Sequence, residues 1–198
     1  MEVQNEMMVL ALKEVNYFER LVEDLLLLAQ VKDPSYHSSY PLINLSDILS
    51  EVAEDFAIRS QHKKQQIALK TNIENQSTKM HGDAHLITRL LRNGLENAFS
   101  FAHSSVSISA RLDADKKIRI LVDDDGPGFS QEALMDFGIR RTTRKLENKS
   151  DGRLSVGLGS VVMKTIAEAA GGEVKVSNRC ENGRILGARV EIALPGLV

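Results

Sequence analysis

The chain of 198 residues carries 25 Lys and Arg against 27 Asp and Glu, a formal net charge of −2, and 42% of it is hydrophobic. That balance describes one full domain with a smaller appendage, and it excludes a dedicated nucleic-acid binder, which needs a strong basic field. The lone Cys180 excludes an internal disulfide, and no apolar run, 25–29 included, approaches the ~20 residues of a membrane span. The first residues, MEVQNE, are acidic and polar, unlike a secretory signal, so the expected location is the cytoplasm.

At the N-terminus Met8, Ala11, Val15, Phe18, Val22, Leu25 and Ala29 recur at alternating steps of three and four, the a/d seam of a packed helix. Leu10, Tyr17, Leu21 and Leu28 form a second stripe beside it. This helix either lies on its own domain or joins an intermolecular bundle. It ends near Val31, ahead of Asp33-Pro34-Ser35. Residues 33–45, with Pro34 and Pro41, read as a linker. Ser46 is the expected N-cap of a second helix reaching about 61. A strand over 66–73 and a short stretch over 79–81 precede a long helix over 83–102. Residues 105–112 and 117–123 alternate as two strands joined by Asp113-Ala114-Asp115-Lys116. Residues 140–155 are polar and aperiodic and read as a mobile loop. A helix over 156–170 stops at Gly171-Gly172, and strands over 173–177 and 188–194 flank Glu181-Asn182-Gly183. The order predicts an α+β fold: a two-layer α/β sandwich, its mixed sheet covered by helices, preceded by the long N-terminal helix.

Three features could carry chemistry. Asn93 and Asn97 lie on the side of the long helix that also holds Leu86 and Leu90, where apolar residues are expected. Amides there either cap nearby backbone or offer an oxygen to a hard cation such as Mg²⁺. Asp123, Asp124 and Asp125 end a strand, followed by Gly126-Pro127-Gly128-Phe129. Consecutive strand residues face opposite ways, so the three carboxylates cannot all converge on a metal. The run reads as a plain turn or as one inward carboxylate under glycines that let a ligand base approach. Gly157-Leu158-Gly159 opens a helix, either as a packing accommodation or as a set of N–H groups for phosphate.

The order of these three features, with their spacings, resembles the ATP-binding catalytic domain of sensor histidine kinases and the wider superfamily shared with DNA gyrase and the mismatch-repair ATPases. Asn93-Gly94-Leu95-Glu96-Asn97-Ala98 is similar to the N box, and Asp124-Asp125-Gly126-Pro127-Gly128-Phe129 to the G1 box. Gly157-Leu158-Gly159 with Ala170-Gly171-Gly172 resembles the G2 box and its helix end, and Gly187-Ala188-Arg189-Val190 to Leu194-Pro195 the closing strand. Glu19 to Ala29 resembles the second helix of the dimerisation and phosphotransfer domain. The resemblance implies a partial dimerisation helix over 1–32, the linker over 33–45 and an ATP-binding domain over 46–198. It implies ATP and Mg²⁺ as cofactors. Asn97 would hold the metal, Asp124 the adenine, and Gly157, Leu158 and Gly159 the phosphates, with Asn93, Gly126 and Gly128 completing the nucleotide site. Arg140, Arg141 and Arg144 read as a solvated charge run or as positive charge over the phosphates.

Departures accompany the likeness. Ser100 and Phe101 stand where a basic residue and tyrosine are usual, the G2 box reads Ser155-Val156-Gly157-Leu158-Gly159-Ser160, and Ala188 replaces a threonine. None of the five histidines, His37, His62, His81, His85 and His103, lies in the family's acceptor motif. The expectation is therefore a protein-histidine kinase fragment that transfers the γ-phosphoryl group to a histidine outside this chain. The alternative is a degenerate nucleotide-sensing or partner-docking module without turnover. A response regulator receiver domain and a second copy, through the N-terminal helix, are the implied partners. Neither nucleic acid nor membrane contact is expected of the chain itself, although its parent could be membrane-anchored.

Overall fold

The computed structural model describes residues 2–31, 41–61, 67–73, 78–139 and 158–197. The chain divides into two compact units, the first containing helix α1 (Glu2–Val31) and the second every later element. The seven seam residues of α1, from Met8 to Ala29, are all exposed.

The second unit is built on a five-stranded sheet. Its strands are β2 (Ala68–Ile73), β4 (Ser105–Leu112), β5 (Lys117–Asp124), β6 (Glu173–Glu181) and β7 (Arg184–Pro195), in the spatial order β2-β4-β5-β7-β6. β2 and β4 run parallel, because the chain crosses between them through helix α3 (Ala84–Phe101); every other neighbour pair is antiparallel. Val106, Ile108 and Ala110 of β4 and Ile118, Ile120 and Val122 of β5 are buried, alternating with more exposed residues, so one face of the sheet is apolar. Helices α2 (Leu45–Gln61), α3 and α5 (Leu158–Ala169) contribute Leu49, Phe56, Leu90, Leu91, Val162 and Ile166 to the same core. Each such side chain contributes about 1.5–3 kcal/mol by leaving water. The mixed sheet under helices is the α+β sandwich that the sequence predicts.

Local chemistry fixes the ends of these elements. The Asp83 carboxylate accepts the N–H groups of His85 (2.8 Å) and Leu86 (3.3 Å), capping α3. Asp113 accepts from the N–H groups of Asp115 and Lys117 and closes the β4–β5 hairpin, with Lys116 at φ 60°. Asn182 (φ 50°) and Gly183 (φ 78°) turn β6 into β7 with the two positive φ angles of a tight hairpin.

Several boundaries need correction. The end of the linker read over 33–45 is structured: Leu42–Asn44 form strand β1, antiparallel to β3 (Lys79–His81). Ser46 is not an N-cap, since α2 begins at Leu45 and the Ser46 hydroxyl donates to the Asn44 side chain at 2.7 Å. β6 and β7 run longer than 173–177 and 188–194, and a short helix α4 (Gln131–Met135), capped by Ser130, follows the β5 turn. The loop predicted over 140–155 lies outside the described residues. Among the described residues no helix is long and apolar enough to cross a membrane.

Candidate functional site

The three consecutive aspartates go three ways: strand parity sets Asp123 and Asp124 on opposite faces, and Asp125 lies past the end of β5. Asp123 takes a bidentate pair from Arg189 on β7, with both N–O distances 2.7 Å, and this carboxylate holds the pKa of the guanidinium above its ordinary value. Asp125 turns back to the end of α3, accepting the N–H groups of His103 (2.8 Å) and Ser104 and the Ser104 hydroxyl. Burial pushes the Asp125 carboxyl up, but the Ser104 hydroxyl and the N–H groups of Ser104, Ser105 and His103 outweigh it and hold it well below the usual carboxylate range.

Asp124 alone faces the core side, at 3% exposure. A buried carboxylate is costly unless hydrogen-bonded. Its Oδ1 accepts the N–H of Gly126 at 2.8 Å and that of Ala188 on β7 at 3.2 Å. Gly126 is obligatory here, since a Cβ would stand 2.3 Å from the Phe101 carbonyl oxygen at the end of α3. Gly187 brings β7 equally close, a Cβ there meeting the Asp124 carbonyl oxygen at 1.9 Å.

On α3 the two asparagines differ from expectation. Neither is buried among the apolar residues; both are half-exposed beside that face. Asn93 Nδ2 donates to the Arg89 carbonyl one turn earlier at 3.0 Å. Its amide oxygen lies against the first turn of α5, where a Cβ on Gly159 would stand 2.9 Å away. Asn97, one turn further along α3, makes no hydrogen bond through its amide among the described residues. Leu158 opens α5 and is buried, and Gly94 of α3 faces Met163 of α5 and Val122 of β5. The structure therefore brings Asn93 and Gly159 together, and fixes Asp124, Gly126 and Gly128 in one turn at the β5 end. Gly157, Arg140, Arg141 and Arg144 lie outside the described residues.

Two residues of β6 escaped the sequence reading. Asn178 accepts the Phe129 N–H at 2.6 Å and donates to the Phe129 carbonyl at 2.9 Å, and Arg179 donates to the Asp124 carbonyl at 3.1 Å. Neither sits in a glycine-rich run or a charge cluster, so no local signal marks them. Among the described residues no group of three or more His, Cys, Asp or Glu side chains could hold a metal ion, so a cation here would rely on amide, water and phosphate oxygens.

Comparison with known proteins places the chain in a family. Residues 82–197 match the family described as histidine kinase-, DNA gyrase B- and HSP90-like ATPase. The sensor protein RstB of Escherichia coli K12 is 29% identical over 194 residues, covering 92% of this chain and 40% of that protein. The adaptive-response sensory kinase SasA of Synechocystis is 24% identical over 188 residues, covering 91% of this chain and 46% of that protein. The chain thus spans under half the length of these relatives. In fold it is similar to the histidine kinase AdeS of Acinetobacter baumannii (TM-score 0.72, 20% identity, 94% of this chain and 82% of that one). It is likewise similar to full-length ShkA, solved in complex with AMPPNP (TM-score 0.73, 22% identity, 94% of this chain and 37% of that one). The chain belongs to the histidine kinase-, DNA gyrase B- and HSP90-like ATPase family, with sensor histidine kinases as its curated relatives.

Proposed function

We propose that this chain binds Mg-ATP as the catalytic part of a two-component sensor histidine kinase and transfers the γ-phosphoryl group to a histidine supplied from outside these residues. The observation that carries the reading is Asp124, the one carboxylate of three that faces the covered side of the sheet, at the β5 end beneath a glycine turn. A carboxylate accepts on both oxygens, enough to keep the N–H groups of Gly126 and Ala188 and take the exocyclic amine of adenine. The glycines let the turn pack against the Phe101 carbonyl and the Asn178 amide. The first turn of α5 offers N–H groups at Leu158 and Gly159, which suit a phosphate chain. Gly157, Arg141 and Arg144 complete the phosphate contacts in this reading.

The Asn97 amide oxygen is a hard donor on the same side as Asn93 and fits Mg²⁺, which takes oxygen ligands and keeps several waters. When bound, Mg²⁺ neutralises charge on the phosphates. Phosphoryl transfer needs positioning and electrostatic stabilisation more than covalent chemistry from the protein. The work of this chain is accordingly to hold the base at Asp124, the phosphates at α5 and the metal at Asn97. A response regulator receiver domain and a second copy of the chain, docked through α1, are its proposed partners.

Titration with a non-hydrolysable ATP analogue tests the binding half. Asp124→Asn converts a charge-assisted acceptor into a weaker one and is expected to reduce affinity ~10–100-fold, or about 1.5–3 kcal/mol. Equal affinity in variant and parent would rule out the assignment. Asn97→Ala is expected to erase the difference between affinities measured with Mg²⁺ and with EDTA, while Asn93→Ala only reduces it. The transfer half is tested by adding an isolated acceptor helix with ATP and Mg²⁺. Acid-labile label on that helix supports the kinase; tight nucleotide binding without transfer favours the nucleotide-sensing module, to which the altered G2 box points.

A further inference from the structure

The turn from Asp124 to Phe129 is held at both ends by one rung of the β6–β7 ladder. Asn178 and Ala188 are directly paired across these two strands. The Ala188 N–H donates to Asp124 Oδ1 at the start of the turn, and the Asn178 amide closes on the N–H and carbonyl of Phe129 at its end. Gly128, between them, has φ +79°, and a Cβ on it would lie 2.7 Å from Asn178 Oδ1. The amide is thus seated on the glycine as well as bonded to the peptide groups beyond it.

We propose that Asn178 is a positioning residue for the nucleotide site, fixing the Asp124–Phe129 turn so that the Asp124 carboxylate meets the adenine amine in register; this rests on the nucleotide reading above. Few side chains could take its place. Grasping one residue's N–H and carbonyl together needs a donor and an acceptor on a short planar group, which an amide supplies. Aspartate keeps the acceptor but loses the donor, and sets a negative charge against the Phe129 carbonyl. Alanine loses both arms and releases the Phe129 peptide groups from β6, while Ala188 and the Arg179 guanidinium still hold the Asp124 end.

A positional effect of this kind acts on base recognition, not on binding in general. The experiment compares ADP with IDP, which carries a carbonyl in place of the exocyclic amine, on the parent, Asn178→Ala, Asn178→Asp and Asp124→Asn. The parent is expected to prefer ADP, and Asp124→Asn to lose that preference. Asn178→Ala should weaken ADP roughly tenfold, with little change for IDP, so that the preference collapses. Combined with Asp124→Asn it should add nothing further, because both act through one contact. Asn178→Asp preserves the side-chain volume and supplies the same readout if the alanine variant fails to fold. If the Asn178 variants weaken both nucleotides equally, or leave the ADP preference intact while Asp124→Asn removes it, the positioning role is overturned and the nucleotide reading survives. A parent that binds neither nucleotide overturns both.

Discussion

Helices α1 and α3 carry similar apolar patterns and meet opposite fates. In α3 the stripe is a core: Leu86, Leu90, Leu91 and Leu95 are all buried, and Leu90 is fully excluded from solvent. In α1 Met8, Val15, Phe18 and Val22 are each more than half exposed. Periodicity therefore fixes which face of a helix is apolar, and the surroundings decide whether that face is filled within the chain. The α3 stripe has the sheet and two helices against it. The α1 stripe is a strip of apolar surface, and isolated exposed apolar residues are ordinary whereas seven in register are not.

The contrast is broken most directly by truncating one leucine. Leu90→Ala removes a fully buried side chain from a packed layer and is expected to cost about 2–5 kcal/mol. Val15→Ala on α1 should change stability by less than ~0.5 kcal/mol. Urea denaturation of both variants compares them, and a Leu90→Ala midpoint as close to the parent's as that of Val15→Ala would show that the α3 stripe is no core.

A smaller effect is expected where α3 hands over to the sheet. Asp125 ties His103 and Ser104, just past the helix, to the β5 end, so it fixes α3 against the strand that bears Asp124. Its folded-state pKa is depressed by these bonds. The stabilisation is therefore fully present above the unfolded carboxylate value near ~4 and is lost as pH falls through the lower folded value. Asp125→Ala should lower the neutral-pH Tm by roughly 2–4 °C, for a net loss of about 1 kcal/mol. The difference from the parent should shrink progressively below pH ~4. A gap that is constant from neutral to acid pH would mean the carboxylate's charge plays no part.

These residues also show how far the sequence could be read. The β4 strand over 105–112 and the α3 helix were legible because each buries one face, and burial writes its period into the residue order. Strand parity separated Asp124 from its neighbours for the same reason. It could not say what Asp125 holds, because its partners lie more than twenty positions earlier. Asn178 is as distant from its partner, gripping backbone 49 positions away, and a backbone partner imposes no side-chain pattern on its own segment. The three residues of β1 and five of α4 are too short to express a period. A helical wheel sets Asn93 too deep, because it gives direction but not depth. The close packing of Gly159 against Asn93 follows only once α3 and α5 lie side by side.

The smallest expected change in stability belongs to the boldest substitution on α1. Phe18 is 59% exposed and Val22 53%, two successive positions of the seam. Replacing both with glutamate puts charge where the chain already meets water, so the domain that holds Asp124 should keep its Tm within a degree or two and its nucleotide affinity unchanged. The same two charges would be intolerable at a helix–helix interface, where a buried carboxylate without a partner costs several kcal/mol. If the seam serves to pair copies of this chain, as a bundle-forming a/d pattern allows, the parent should sediment as a concentration-dependent oligomer and Phe18→Glu/Val22→Glu as a monomer. A parent that stays monomeric at every concentration, or a variant that associates as the parent does, would remove the second copy from among the seam's partners. The buried stripe of α3 offers the control: glutamate at Leu90 should unfold the domain, whereas glutamate on the α1 seam should only separate one chain from another.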